Sequence, residues 1–160
     1  MIFCGVDPGK KGSVSFIDGR GKFISVTPTP MTEDDYDEVA MFELLQSHPD
    51  VALVVLERSQ AFPGQGVVSM FSFGVGYGLW KMAIKVSKIP FQIVHPRVWT
   101  RALLLGASGE GKDRNYSVAR QLFPDWQPKL KKEHEYCDSL LLAEYGRRAI
   151  VSQNSTGAIT

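Results

Sequence analysis

Cysteine is scarce in this chain, with only Cys4 and Cys137 among 160 residues, each inside an apolar pattern. Two thiols so placed supply neither a disulfide framework nor a thiolate metal site, and read as small buried hydrophobes in a reducing cytosol. Histidine is equally sparse, at three residues, and His48 and His95 lack metal-ligand spacing and read as structural. The longest apolar stretches are broken by Gly, Lys or Ser, so no transmembrane helix and no membrane partner are expected. A basic lead-in and a cleavage site are missing from the N-terminus, which argues against a signal peptide and for a cytoplasmic protein. Net charge is nearly absent at +1, yet it is unevenly divided. Residues 1–80 carry 5 basic and 10 acidic side chains, and residues 81–160 carry 13 and 7. A basic half suits a polyanionic partner.

Hydrophobic content of 44% and charged content of 22% are those of a globular domain with a sizeable core. IFCGVD (2–7), GSVSFID (12–18) and KFISVT (22–27) read as three short strands joined by the turn-like DPGKK and GRG, hence an antiparallel meander. Thr32 is a candidate cap for a helix with Glu33, Asp34 and Asp35 in its first turn and DEVAMFELLQ as its body. VALVVLE (51–57) is continuously apolar, as in a central strand buried on both faces. A long apolar helix covers VVSMFSFGVGYGLWKMAIKVS, in which Val68, Phe71, Gly74, Gly78 and Met82 fall at helical spacing for close packing. FQIVH (91–95) is a fifth strand, and Pro96 opens a helix through PRVWTRALLL. DRNYSVARQLF and a segment from about Lys132 to Ile150 complete the helices. The fold class is α/β, a mixed five-stranded sheet flanked by helices, in one domain over 1–150 with a polar, frayed tail at 151–160. Connection rules place the fourth strand beside the first and parallel to it.

That placement gathers carboxylates. Asp7 and Glu57 each end an apolar strand, and two acids side by side repel unless something positive lies between them. Glu135 and Asp138, three apart in KKEHEYCDSLLLAEYG, share a helical face that precedes the apolar SLLLA and so looks toward the sheet. Taken singly, each acid is an ordinary surface or ion-pair residue. Four of them from three distant segments make a site for a hard, oxygen-loving cation such as Mg²⁺. Two such ions clamp the attacking and leaving oxygens of a phosphodiester. The residues alone therefore indicate metal-dependent phosphoryl transfer.

GVDPGKKGSVSFID, VVLERSQAFPGQG, IVHPRVWTRALLLGASGEGK and EHEYCDSLLLAEYG, in this order and spacing, resemble the RuvC family of Holliday junction resolvases, and AFPGQG resembles its phage branch. The likeness reaches to about residue 149. It implies an RNase H-like fold, a homodimer, and Mg²⁺ or Mn²⁺, two per site, nicking two strands of a four-way DNA junction symmetrically in a bacterial or phage-infected host cytoplasm. It implies metal binding by Asp7, Glu57, Glu135 and Asp138. The family usually has Asp or His where Glu135 stands, and His134 is the alternative ligand. By the same resemblance, one metal held by Asp7 and an acid of the last helix activates water, and another held by Asp7 and Glu57 stabilises the leaving 3′ oxygen. Lys112 corresponds to a family lysine near the scissile phosphate, the alternative being a solvated loop lysine. Arg101 lies where typical members carry a lysine, for which an arginine is not a simple substitute.

GASGEGKD (106–113) nearly spells a phosphate loop, but Asp113 replaces the required hydroxyl and no strand precedes it. A DNA-facing loop is expected there, and no nucleotide cofactor. Arg114, Lys129, Lys131 and Lys132 are further candidate phosphate contacts, or simply solvated. Phe62 is either a wedge between bases or a loop side chain tucked into the core. Phe71, Phe73, Tyr77 and Trp80 are too many for one helix to bury on its own sheet, and divide between core and dimer contacts. Rival readings are a broader branched-DNA or RNA–DNA hybrid nuclease, a non-catalytic junction binder, and a sugar-kinase/actin-like ATPase, which needs two such domains.

Overall fold

The computed structural model describes residues 1–60, 64 and 66–156, with the side chains of Lys132 and of 153–156 outside that description. Five strands, β1 (Ile2–Asp7), β2 (Ser13–Asp18), β3 (Phe23–Pro28), β4 (Val51–Glu57) and β5 (Phe91–Val94), form one mixed sheet in the order β3-β2-β1-β4-β5. The β1–β2 and β2–β3 pairs are antiparallel, whereas β4 runs parallel to β1 and β5 parallel to β4. Around the sheet lie α1 (Glu38–Gln46), α2 (Val67–Val86), α3 (Pro96–Leu104), α4 (Gly111–Leu122) and α5 (Cys137–Thr156). The Asp18 carboxylate shapes the second hairpin by accepting from the backbone N–H groups of Arg20 and Lys22, both at 2.8 Å.

Alternation along the strands builds two cores. Cys4, Val6, Val14, Phe16, Val54 and Leu56 face α1 and α2, meeting Met41, Trp80 and Ile84. Phe3, Ile17, Leu53 and Val55 face α3, α4 and α5, meeting Trp99, Ala119, Leu140 and Ala143. Burial on both faces explains the unbroken apolar run of β4. Glycine sets how closely α5 lies on the sheet. A Cβ on Gly5 would run into the Ser139 carbonyl oxygen and stand 2.5 Å from the Ala143 nitrogen, and one on Gly146 would stand 2.6 Å from a Val55 methyl.

Three local expectations give way. Helix α1 begins at Glu38, with the Asp37 carboxylate accepting from the Ala40 N–H at 2.9 Å, and not at Thr32. Tyr36 is buried and bridges in extended form to Met31, which bars a helix through 33–36, while the Thr32 hydroxyl caps its own turn by accepting from the Asp35 N–H. The chain before α5 is a 3-10 helix, Lys131–Tyr136, anchored where Glu133 accepts from the Lys129 N–H at 2.7 Å, and α5 continues six residues past Ile150 to Thr156. On α2 the row Val68, Phe71, Gly74, Gly78, Met82 faces outward, while Gly76, Trp80, Ala83 and Ile84 face the sheet. Helix α2 is long and apolar enough to cross a membrane by length and composition. Its Trp80 face is sealed against the sheet, so it serves as a layer of this domain.

Candidate active site

Strand period and register bring the first two acids together. Phe3, Gly5 and Asp7 on β1, and Leu53, Val55 and Glu57 on β4, fall at alternate positions on the face that carries α5. Val6 pairs with Leu56, so Asp7 and Glu57 follow side by side at the carboxyl ends of two parallel strands. The first turn of α5 supplies Asp138, and the 3-10 helix before it supplies Glu135. A buried group of three serines holds that junction in place. The Ser139 hydroxyl bonds the hydroxyls of both Ser13 (2.7 Å) and Ser15, and donates to the Tyr136 carbonyl at 2.9 Å. The start of α5 is thereby pinned to β2 one residue from Asp138.

Asp7, Glu135, Asp138 and Lys112 line one cavity of about 540 Å³, whose other wall is Val68, Ser72 and Phe73 of α2. Glu57 lies behind Asp7, where the Trp99 indole N–H donates to it at 2.8 Å. Burial, then the neighbouring Asp138 charge, pushes the Asp7 carboxyl up to about 6, although the Gly9 N–H donates to it. Burial and the Asp7 charge push Glu57 up to about 7. Asp138 is raised by burial despite the Asn115 amide donating at 2.8 Å. The nearest cation is Lys112, whose Nζ is 3.1 Å from Glu135 while its side chain stays 69% exposed. Burial also raises the Cys4 and Cys137 thiols, which are free and buried, as expected of inert hydrophobes.

The donor set is all oxygen and recessed, and of the three lysines that line the cavity only the exposed Lys112 forms an ion pair with one of its acids, which fits a hard divalent cation. Among the described residues no three such side chains close around an ion as they stand. Each is held by a donor instead: Glu57 by Trp99, Asp138 by Asn115, Glu135 by Lys112. The Lys112–Glu135 pair, exposed and weak, is the one a cation would displace most readily.

The remaining candidates scatter. His134 stacks on Tyr116 with ring centroids 4.0 Å apart and lines a neighbouring concavity with Lys131, Lys112 and Glu135; of His134 and Glu135, only Glu135 also lines the cavity of Asp7. Lys112 sits in the first turn of α4 rather than in a loop. Arg101 and Arg114 meet in a cleft between α3 and α4. Lys129 and Lys131 are exposed before α5, the side chain of Lys132 is outside the described residues, and so is Phe62. His95 caps α3 by accepting from the Arg97 N–H, and His48 packs on Phe16, both structural. Sequence reasoning passed over Lys10 and Lys11, which line the cavity from a stretch read only as a turn. It also missed the supports Trp99, Asn115 and Ser139. Alternate serines in a buried strand were the available signal, since they require polar partners.

No protein-family model matches this sequence, and no curated protein matches it. Solved structures do match. Thermus thermophilus RuvC in complex with a Holliday junction substrate is similar over 94% of this chain and 96% of its own, at 13% identity and a TM-score of 0.71. Another Thermus thermophilus RuvC structure matches over 95% and 97%, at 17% identity and a TM-score of 0.67. The yeast mitochondrial Holliday junction resolvase matches over 95% and 81%, at 16% identity and a TM-score of 0.57. The fold is therefore RuvC-like, within the RNase H-like architecture.

Proposed function

We propose that this protein is a divalent-metal-dependent, structure-selective endodeoxyribonuclease that resolves four-way DNA junctions by paired symmetric nicks. The observation that carries the reading is the gathering of Asp7, Glu135 and Asp138 around one cavity at the carboxyl end of β1, with Glu57 beside Asp7 at the end of β4, in a fold like that of a resolvase solved on its junction. Two Mg²⁺ or Mn²⁺ ions held by these four residues would supply the positive charge that acidifies water and offsets charge on the leaving 3′ oxygen. The chain's own residues hold the geometry. Trp99 and Asn115 orient Glu57 and Asp138, the serine group fixes the start of α5 to β2, and Lys112 places a cation at the mouth for the phosphate. Lys10 and Lys11 line the cavity and Lys131 the concavity beside it, where they serve DNA backbone.

A homodimer suits a two-fold symmetric junction, because each protomer then meets an equivalent strand. Support comes from α2, where Phe71 is 76% exposed, in a row continued by Met82 and Val86. An apolar ridge of this kind marks a protein-facing surface. The phage branch rests on AFPGQG, most of which lies outside the described residues.

The test is cleavage of a synthetic four-way junction labelled on each strand in turn, beside duplex, flap and RNA–DNA hybrid controls. Symmetric nicks in opposing strands, lost with chelator, are the expected result. Equal cleavage of flaps or hybrids would make it a broader nuclease, and binding without cleavage would leave a junction-binding protein.

A further inference from the structure

Across the start of α4 from the carboxylates lies a second concavity, of about 300 Å³, lined by Arg97, Arg101 and Arg114. Arg97 and Arg101 are one turn apart on α3, so they share a face, and Arg114 reaches in from the first turn of α4. Thr100, Leu104 and Ala107 belong to the remaining wall, which holds no carboxylate. None of the three arginines forms an ion pair with a described residue. The Arg114 Nε is buried without a hydrogen-bond partner among the described residues. Three like charges around one cleft repel, and an anion with several acceptor oxygens relieves both the repulsion and the unused donors. Guanidinium groups match phosphate oxygens in that role.

The position relative to the carboxylates narrows the choice of anion. Residues two apart on a helix point to opposite sides. Lys112 faces the cavity of Asp7 and Asp138, while Arg114 faces the arginine cleft. We propose that Arg97, Arg101 and Arg114 grip a backbone phosphate of the DNA arm that continues past the scissile phosphate, so that the DNA passes over the start of α4 between two cationic contacts. This rests on the junction-nuclease reading and adds to it a positioning site, with Arg97 as a DNA contact that its sequence context does not reveal.

The experiment is a salt titration of junction affinity by fluorescence anisotropy, on the full chain in chelator. It compares wild type, the double variant Arg97→Gln/Arg101→Gln, the double variant Arg97→Lys/Arg101→Lys, and the control Lys22→Gln. Arg97 and Arg101 are exposed, so both double variants keep the fold. Lys22 lies in the β2–β3 turn, at the end of the sheet opposite the site. Loss of one phosphate contact lowers the slope of log affinity against log salt by about 0.9. The glutamine pair is expected to show that loss, the lysine pair to restore the slope, and Lys22→Gln to leave it unchanged. An unchanged slope in the glutamine pair, with wild type still binding steeply, would overturn the cleft alone. An equal loss in Lys22→Gln would overturn it as well, by showing a general charge effect. Wild type that fails to bind the junction would remove the cleft and the nuclease reading together.

Discussion

Asp7 is one of two strand-end acids that burial and a neighbouring carboxylate hold well above the ordinary carboxylate range. Its carboxyl sits at the end of a core strand, recessed, beside Asp138 and next in register to Glu57, and titrates at about 6 against an ordinary 3.8. A raised folded-state value means that the native state holds the proton longer than the unfolded chain. The contribution therefore favours folding below pH 3.8 and is lost as pH rises through about 6. Glu57, raised to about 7, acts in the same sense. Replacing the acid by its isosteric amide removes that penalty, so metal-free Asp7→Asn should melt higher than wild type at pH 8, with the gap shrinking toward pH 5. Mg²⁺ should stabilise wild type more than the variant, and junction cleavage should be abolished. Scanning fluorimetry across pH, with and without Mg²⁺, reads the first two. An Asp7→Asn melting temperature at or below that of wild type at pH 8 would show that the carboxylate is satisfied by protein groups alone.

At the scale of elements, the site depends on how closely α5 approaches β1. Gly5 permits that contact, because any side chain would strike the Ser139 and Ala143 backbone. Gly5→Ala should cost about 3 kcal/mol through overpacking, a fall in Tm of roughly 6–12 °C for a chain of this size. It should also weaken cleavage by displacing Asp138 from Asp7. Thermal melts check the first effect, and a variant as stable as wild type would mean that α5 can shift without loss. The same scale shows what was legible. Strand-end acids could be read because β4 is apolar without a break and β1 nearly so, leaving Asp7 and Glu57 conspicuous at their ends. The start of α1 could not, because Thr32 and Asp37 are both competent caps and the choice falls to Tyr36, whose burial is a tertiary fact. The outward face of α2 was likewise hidden, since Val68 and Phe71 are as apolar as the Trp80 face that packs on the sheet. Glu135 and Asp138 were read as neighbours on one helix and are neighbours across a 3-10 to α junction, which needs the serine contacts to be seen.

For the whole molecule, the uneven division of charge acquires a spatial meaning. The basic half of the sequence contributes Lys112 to the cavity, Lys131 to the concavity beside it and the arginines of the α3–α4 cleft, while both halves supply the carboxylates of the site, Asp7 and Glu57 from one and Glu135 and Asp138 from the other. A dimer built on the exposed ridge of α2 would set two such cavities on one assembly. Phe71→Glu places a charge in that ridge at little risk to a side chain 76% exposed, and sedimentation is expected to show a dimer for wild type and a monomer for the variant. An unchanged sedimentation coefficient would move the dimer surface elsewhere.

The most direct measurement of the central claim is cleavage of a supercoiled plasmid that extrudes a cruciform, with the products separated as nicked circle and linear DNA. Two coordinated nicks made within one binding event linearise the plasmid. Linear product is expected with Mg²⁺ or Mn²⁺, and neither product with chelator or with Asp7→Asn. Nicked circles alone, or cleavage that survives chelator or the loss of the Asp7 carboxylate, would contradict it.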